Sequence, residues 1–76
     1  MGDSNMLAGF RFKEYEMNEV GVVTGYQVLC EDQQVATLEY RSDIWIGAIV
    51  KDIQILTKCD KSVMRLATWI INEFTS

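Results

Sequence analysis

The last part of the chain contains the pattern that most constrains the fold. Apolar residues recur at helical spacing and form one stripe, which consists of Val63, Leu66, Ala67, Ile70 and Phe74. Asp60 precedes this stripe and is predicted to cap the helix. A short helix with a single apolar stripe is stable only against another apolar surface. We therefore expect the preceding residues to build that surface.

The preceding residues alternate between apolar and polar, as half-buried strands do. "GFRFKEYEM" places Phe10 and Phe12 on one face, and "VVTGYQVLCE" and "VATLEYR" flank the polar "EDQQ" as in a β-hairpin. Together with the helix, this pattern predicts an α+β fold, in which a small antiparallel sheet of three to four strands carries the C-terminal helix on one face. Residues 9–76 are expected to form a single domain, and residues 1–8, which lack periodicity, a loose N-terminal arm.

Residues 44–57, "IWIGAIVKDIQILT", allow two interpretations. The isoleucines favour one long strand, in which Gly47 would mark a bulge or bend. Alternatively, Ser42 and Asp43 could cap a helix whose stripe would be Trp45, Ile49, Ile53 and Leu56. That alternative gives three strands followed by two helices. We favour the strand.

Composition excludes several kinds of chemistry. The chain of 76 residues contains no histidine and only two cysteines, so it lacks the residues for a Ser-His-Asp triad, a Cys-His pair or a zinc site within one chain. We therefore predict no catalytic residue, cofactor or metal. The net charge of −4 opposes nucleic-acid binding. No apolar run approaches the length of a membrane helix, and a cytoplasmic protein without a membrane partner is expected.

The sequence also predicts an interaction surface. Val23 and Leu29 lie opposite Tyr26 and Val28 on the same strand, so both faces of the sheet are apolar and a single helix covers only one. Trp69 falls off the helical stripe, and tryptophan is enriched in protein interfaces. The predicted surface consists of Trp69, Trp45, Ile44 and Ile46. The alternative is that Trp69 packs on the edge of the sheet.

These features favour a small non-enzymatic protein–protein interaction module, such as an inhibitor or adaptor of the phage or mobile-element type. Its partner would be another protein or a second copy, and we prefer a homodimer that uses the Ile-rich segment or the uncovered face. Cys59 lies near the predicted helix N-terminus between Lys58 and Lys61, where a thiol can become reactive. We favour the simpler role of a small residue that fills space.

Three other functions remain as alternatives. "KDIQILT" followed by "MRLATWIINEF" resembles the strand and helix of the GCN5-related acetyltransferases, and the resemblance implies an acetyl-CoA binder; the intervening turn "TKCDKSV" lacks that family's glycines. "FRFKEY" combines aromatic and basic residues as in weak single-stranded nucleic-acid binders. Carboxylates on the strands could perform acid–base chemistry, and the candidates are Glu14, Glu16 and Glu39.

Overall fold

The computed structural model describes residues 4–75, which form one antiparallel sheet and one helix. The elements are β1 (Ser4–Leu7), β2 (Phe10–Met17), β3 (Val23–Cys30), β4 (Gln33–Arg41), β5 (Ile44–Lys51), β6 (Gln54–Asp60) and α1 (Val63–Thr75). Each strand pairs with the next along the chain, so the spatial order is β1-β2-β3-β4-β5-β6. The α+β class and the antiparallel sheet are confirmed. The predicted sheet of three to four strands is too small, because six are present.

The additional strands come from two segments that the sequence describes poorly. Residues 44–57 are neither one long strand nor a helix, since a turn at Asp52 and Ile53 divides them between β5 and β6. The expected loose arm over residues 1–8 also differs from the structure, because Ser4–Leu7 pair with β2. Residues 1–3 of that arm lie outside the described part of the chain.

Four of the five hairpins turn through only two residues. The pairs that flank these turns are Leu7 with Phe10, Cys30 with Gln33, Arg41 with Ile44, and Lys51 with Gln54. In three of the turns both central residues have positive φ, as type I′ turns require; they are Ala8–Gly9, Glu31–Asp32 and Ser42–Asp43. The tight turns fix the register of every strand from β3 to β6.

The core lies between α1 and one face of the sheet. Its sheet members are Phe10, Phe12, Val28, Ala36, Leu38 and Ile49, and its helix members are Leu66, Ala67 and Ile70. Phe74 contacts Phe10, with the ring centroids 5.9 Å apart. The predicted alternation of β2 and the apolar stripe of α1 are therefore confirmed.

The cap of α1 differs from the prediction by two residues. The backbone N–H of Arg65 donates to Ser62 Oγ at 3.3 Å, so Ser62 is the N-cap. Asp60 Oδ1 instead accepts a hydrogen bond from the backbone N–H of Ser62 at 2.8 Å. Asp60 thus fixes the turn that leads into the helix.

Gly47 does not mark a bulge. Its neighbours on β4 and β6 continue in unbroken register on both sides. A Cβ atom placed at Gly47 would lie 3.1 Å from Cζ3 of Trp69. The absence of a side chain therefore lets the indole ring of α1 approach the strand. Within residues 4–75, no helix is long and apolar enough to cross a membrane.

Candidate interaction surface

The face of the sheet opposite α1 has no covering element among the described residues. We call it the open face. By strand alternation its side chains on β2 to β6 are Arg11, Lys13, Gln27, Leu29, Thr37, Glu39, Ile44, Ile46, Ala48, Val50, Ile55, Thr57 and Cys59. The chain exposes 5194 Å², whereas a folded monomer of this mass exposes about 4,700 Å². The excess is consistent with a sheet that is covered on one side only.

The register aligns the open face into rows that cross the strands. A middle row runs through Lys13, Gln27, Thr37, Ala48 and Thr57. On one side of this row lie Arg11 and Leu29 on β2 and β3, with Val50 and Ile55 on β5 and β6. On the other side lie Glu39, Ile46 and Cys59. On the open face, charged residues therefore occur only in the part formed by β2 to β4, and none occurs in the part formed by β5 and β6.

Apart from Ile44 at the start of β5, the part of the open face on β5 and β6 forms a continuous uncharged patch. We call it the uncharged patch, and it consists of Ile46, Ala48, Val50, Ile55, Thr57 and Cys59. Val50 is 58% exposed and Ile55 is 70% exposed. None of the four aliphatic side chains packs against the core between sheet and helix. Apolar groups that contact no core and face solvent together are typical of a binding surface.

A polar cluster lies at one end of the open face and joins β2, β3 and β4. The Arg41 guanidinium donates to both oxygens of Glu16, at 3.0 and 3.2 Å. The Tyr15 hydroxyl donates to Glu39, and Thr24 donates to Glu16 at 3.0 Å. Two carboxylates, a guanidinium and a phenol are thus hydrogen-bonded within one network. The cluster ties three strands together at the β2–β3 irregularity between residues 14 and 17.

The hydrogen bonds within this cluster hold Glu16 in its charged form and Tyr15 in its neutral form, as in a network that stabilises the fold. The hydrogen bonds from Arg41 and Thr24 lower the pKa of Glu16. The hydrogen bond to Glu39, together with burial and the neighbouring carboxylates, raises the pKa of Tyr15 to about 12. Glu14 points to the other face by alternation, where its charge adds to burial in raising the pKa of Tyr26. The structure therefore brings together Glu16 and Glu39 but not Glu14.

Both tryptophans lie on the side of the sheet that α1 covers: Trp45 belongs to β5, and Trp69 belongs to α1. Trp69 is half-buried and packs against the core beside Gly47, with Lys58 Nζ 5.9 Å from its ring centroid. Trp45 is also half-buried and contacts Tyr26 and Tyr40, at centroid distances of 5.9 and 5.3 Å. Both positions correspond to packing between helix and sheet. Helical periodicity could not show this, because it describes α1 without the strand beneath.

The other residues singled out from the sequence are Ile44, Ile46 and Cys59, and all three lie away from the helix–sheet core. Ile44 and Ile46 are half-buried and lie on the open face. Cys59 is exposed, and it belongs to β6 rather than to the first turn of α1. Sequence reasoning did not identify Ala48, Val50, Ile55 and Thr57 as surface candidates. The signal was present as alternation within residues 44–57, and it was concealed by the unrecognised turn at Asp52.

An apolar depression lies between α1 and strands β1 to β4. Its volume is about 270 Å³, and it is lined by Met6, Leu7, Phe12, Tyr26, Leu38, Val63, Met64 and Ala67. This lining contains one hydroxyl and no charged group.

Over residues 4–75, no three His, Cys, Asp or Glu side chains are grouped as metal ligands. Comparison of the chain with protein-family models, with curated proteins and with solved structures gave no match.

Proposed function

We propose that this chain is a small non-enzymatic interaction module whose binding surface is the open face, and that the occupant of this face is a second copy of the chain. The observation that carries the proposal is the uncharged patch. It presents exposed Val50 and Ile55 beside small side chains, and the charged residues of the two strands, Lys51, Lys58 and Asp60, lie on the covered face by alternation. Such a surface is suited to another flat apolar surface.

The size of the face sets how much of it two copies must share. The five long strands, β2 to β6, are spaced about 4.8 Å apart and are each about 26 Å long, which gives a face of roughly 600 Å². Stacking two whole faces buries about 1,200 Å², which is the lower limit of a stable interface, whereas stacking half of each face buries the area of a crystal contact. The whole face must therefore participate, including its charged part.

The charge pattern selects one way of stacking. A two-fold axis along the middle row places β2 over β2 and β6 over β6 of the second copy. The uncharged patches then meet, and Arg11 of each copy approaches the row that contains Glu39 of the other. A two-fold axis parallel to the strands would instead place Lys13 on the uncharged patch. The first arrangement also sets Lys13 opposite its own copy, but this exposed side chain lies on β2 near the rim of the sheet, whereas Ala48 lies at the centre. The first arrangement is thus the more complementary of the two, as in two sheets packed about 10 Å apart.

The test is sedimentation equilibrium over a wide concentration range with the variant Ala48→Glu. Ala48 is half-buried at the centre of the open face, so a carboxylate there meets its own copy across the axis and should abolish stacking. Thr68→Glu on the exposed side of α1 introduces the same charge and should leave association unchanged. Circular dichroism confirms the fold of both variants. If Ala48→Glu associates as the native chain does, the open face is not the binding surface.

A further inference from the structure

The outer edge of β6 is a long unpaired strand edge. β6 ends the sheet, and its seven residues, Gln54–Asp60, pair with β5 without any register shift. Strand edges are usually kept from pairing by proline, bulges or charged side chains; β6 contains no proline and no bulge, and its charged residues, Lys58 and Asp60, lie on the covered face by alternation. The opposite edge, β1, is shorter at four residues. β6 is therefore the edge that is better suited to accept a further strand.

The hairpin register shows which backbone groups point outward. A two-residue turn is closed by a hydrogen-bonded pair, here Lys51 with Gln54, and such pairs alternate with non-bonded ones along an antiparallel ladder. Leu56 and Lys58 consequently bond to β5. The backbone N–H and C=O groups of Ile55, Thr57 and Cys59 point to the free edge.

We infer that β6 pairs antiparallel with β6 of a second copy about a two-fold axis through Thr57. In this register Thr57 lies opposite Thr57 of the partner, and Ile55 lies opposite the partner's Cys59. All outward groups of the three residues are then satisfied, in roughly six hydrogen bonds. Shifting the partner by two residues leaves some of these groups unpaired, and in one direction it places Lys58 opposite its own copy.

Edge pairing does not depend on the open-face contact proposed above, since it uses backbone groups at the rim of the sheet. The two contacts are nevertheless compatible. Both two-fold axes pass through the middle row that contains Ala48 and Thr57, and one is perpendicular to the sheet while the other lies parallel to it. Two perpendicular two-folds close a tetramer, in which two continuous sheets stack face to face.

The first experiment is the variant Thr57→Pro, with Thr57→Val as its control. Proline removes an N–H that points away from β5, so the hairpin can accommodate it, as edge strands do. The valine variant retains that N–H. Thr57 also belongs to the uncharged patch, and Thr57→Val changes its side chain there while keeping the N–H, so a difference between the two variants reports the edge contact. We expect sedimentation to show Thr57→Val still tetrameric and Thr57→Pro reduced to the open-face dimer. In contrast, Ala48→Glu should leave the edge dimer. Unchanged association of a folded Thr57→Pro overturns the edge inference alone.

A cross-linking experiment covers the case in which Thr57→Pro does not fold. In a chain with Cys30→Ala and Cys59→Ser, the variant Thr57→Cys places two thiols across the axis with Cα atoms about 5.5 Å apart, within the range of a disulfide. Lys58→Cys in the same background is separated from its copy by about 7–8 Å along the diagonal and should not cross-link. Oxidation should yield a covalent dimer only for Thr57→Cys. Equal cross-linking of both variants, or of neither, overturns the register.

Discussion

The contact between Gly47 and Trp69 can be tested by its effect on stability. Gly47→Val should lower the free energy of unfolding when Trp69 is present but not when Trp69 is replaced by alanine. A Cβ atom at Gly47 would lie 3.1 Å from Trp69 Cζ3 and 3.4 Å from Leu38 Cδ2. Carbon atoms prefer separations of about 3.5–4.0 Å. Gly47→Val adds two further methyl groups at this point, so the indole must move, and overpacking of this kind costs about 1–3 kcal/mol.

The intrinsic preference of a strand acts in the opposite direction. Valine is favoured over glycine within a strand by up to about 1 kcal/mol. Gly47→Val should therefore destabilise the native chain by about 1–2 kcal/mol. In a Trp69→Ala background, where the ring is absent, the same change should be neutral or stabilising. The expected coupling between the two positions is about 2 kcal/mol, well above the error of additivity for independent sites.

The assay is urea unfolding followed by circular dichroism for the four members of the double-mutant cycle. For a domain of this size, 1 kcal/mol corresponds to about 4–8 °C in Tm, so thermal unfolding provides a second readout. Gly47→Ala serves as a graded variant, since it adds the Cβ atom alone and should fall between glycine and valine. An equal cost of Gly47→Val with and without Trp69 would refute the explanation that the ring requires a glycine.

Three further changes test the turns, the polar cluster and the helix cap. Asp32→Gly should stabilise the chain by about 0.5–1 kcal/mol in urea unfolding, because glycine adopts the positive φ of 67° without strain and the lost ion pair with Arg11 is exposed at 3.8 Å. The raised pKa of Tyr15 adds stability that is complete below pH 10 and is lost as the pH rises through about 12, so Tyr15→Phe should remove the tyrosine absorbance step near pH 12. Ser62→Ala should cost about 1 kcal/mol, and an unchanged urea midpoint would contradict its role as the N-cap.

The elements with strong periodicity were predictable, whereas the short strand β1 and the division between β5 and β6 were not. β2, the β3–β4 hairpin and α1 all followed from apolar spacing, because each buries one face against the core. The turn at Asp52–Ile53 contains neither glycine, proline nor asparagine, and its Ile53 is fully exposed. Its Asp52 is a turn-forming residue, but a single aspartate between two isoleucine-rich runs is a weak signal. The strand count was therefore wrong, although the strand propensity was correctly recognised.

The tryptophans show a second limit of sequence reasoning. Trp69 lies off the apolar stripe of α1, yet it reaches the sheet because Gly47 leaves room beneath it. A helical wheel treats the opposing surface as flat, so it cannot show that a missing side chain on β5 admits a ring from the flank of the helix. The existence of an uncovered face could be predicted, because one helix covers only one face of a sheet. The residues on that face could not, because they depend on the register of β5 and β6.

The proportions of the described residues support the proposed association. A helix of 13 residues is about 20 Å long and about 10 Å wide, so it covers roughly 200 Å² of a sheet face that measures about 600 Å². Even the covered face keeps an apolar depression beside α1, and the opposite face has no cover among the described residues. Each strand pairs with the next along the chain, so none of the described strands crosses over to form a second layer. In the arrangement that we propose, a copy of the same chain provides the second sheet, with matching rows.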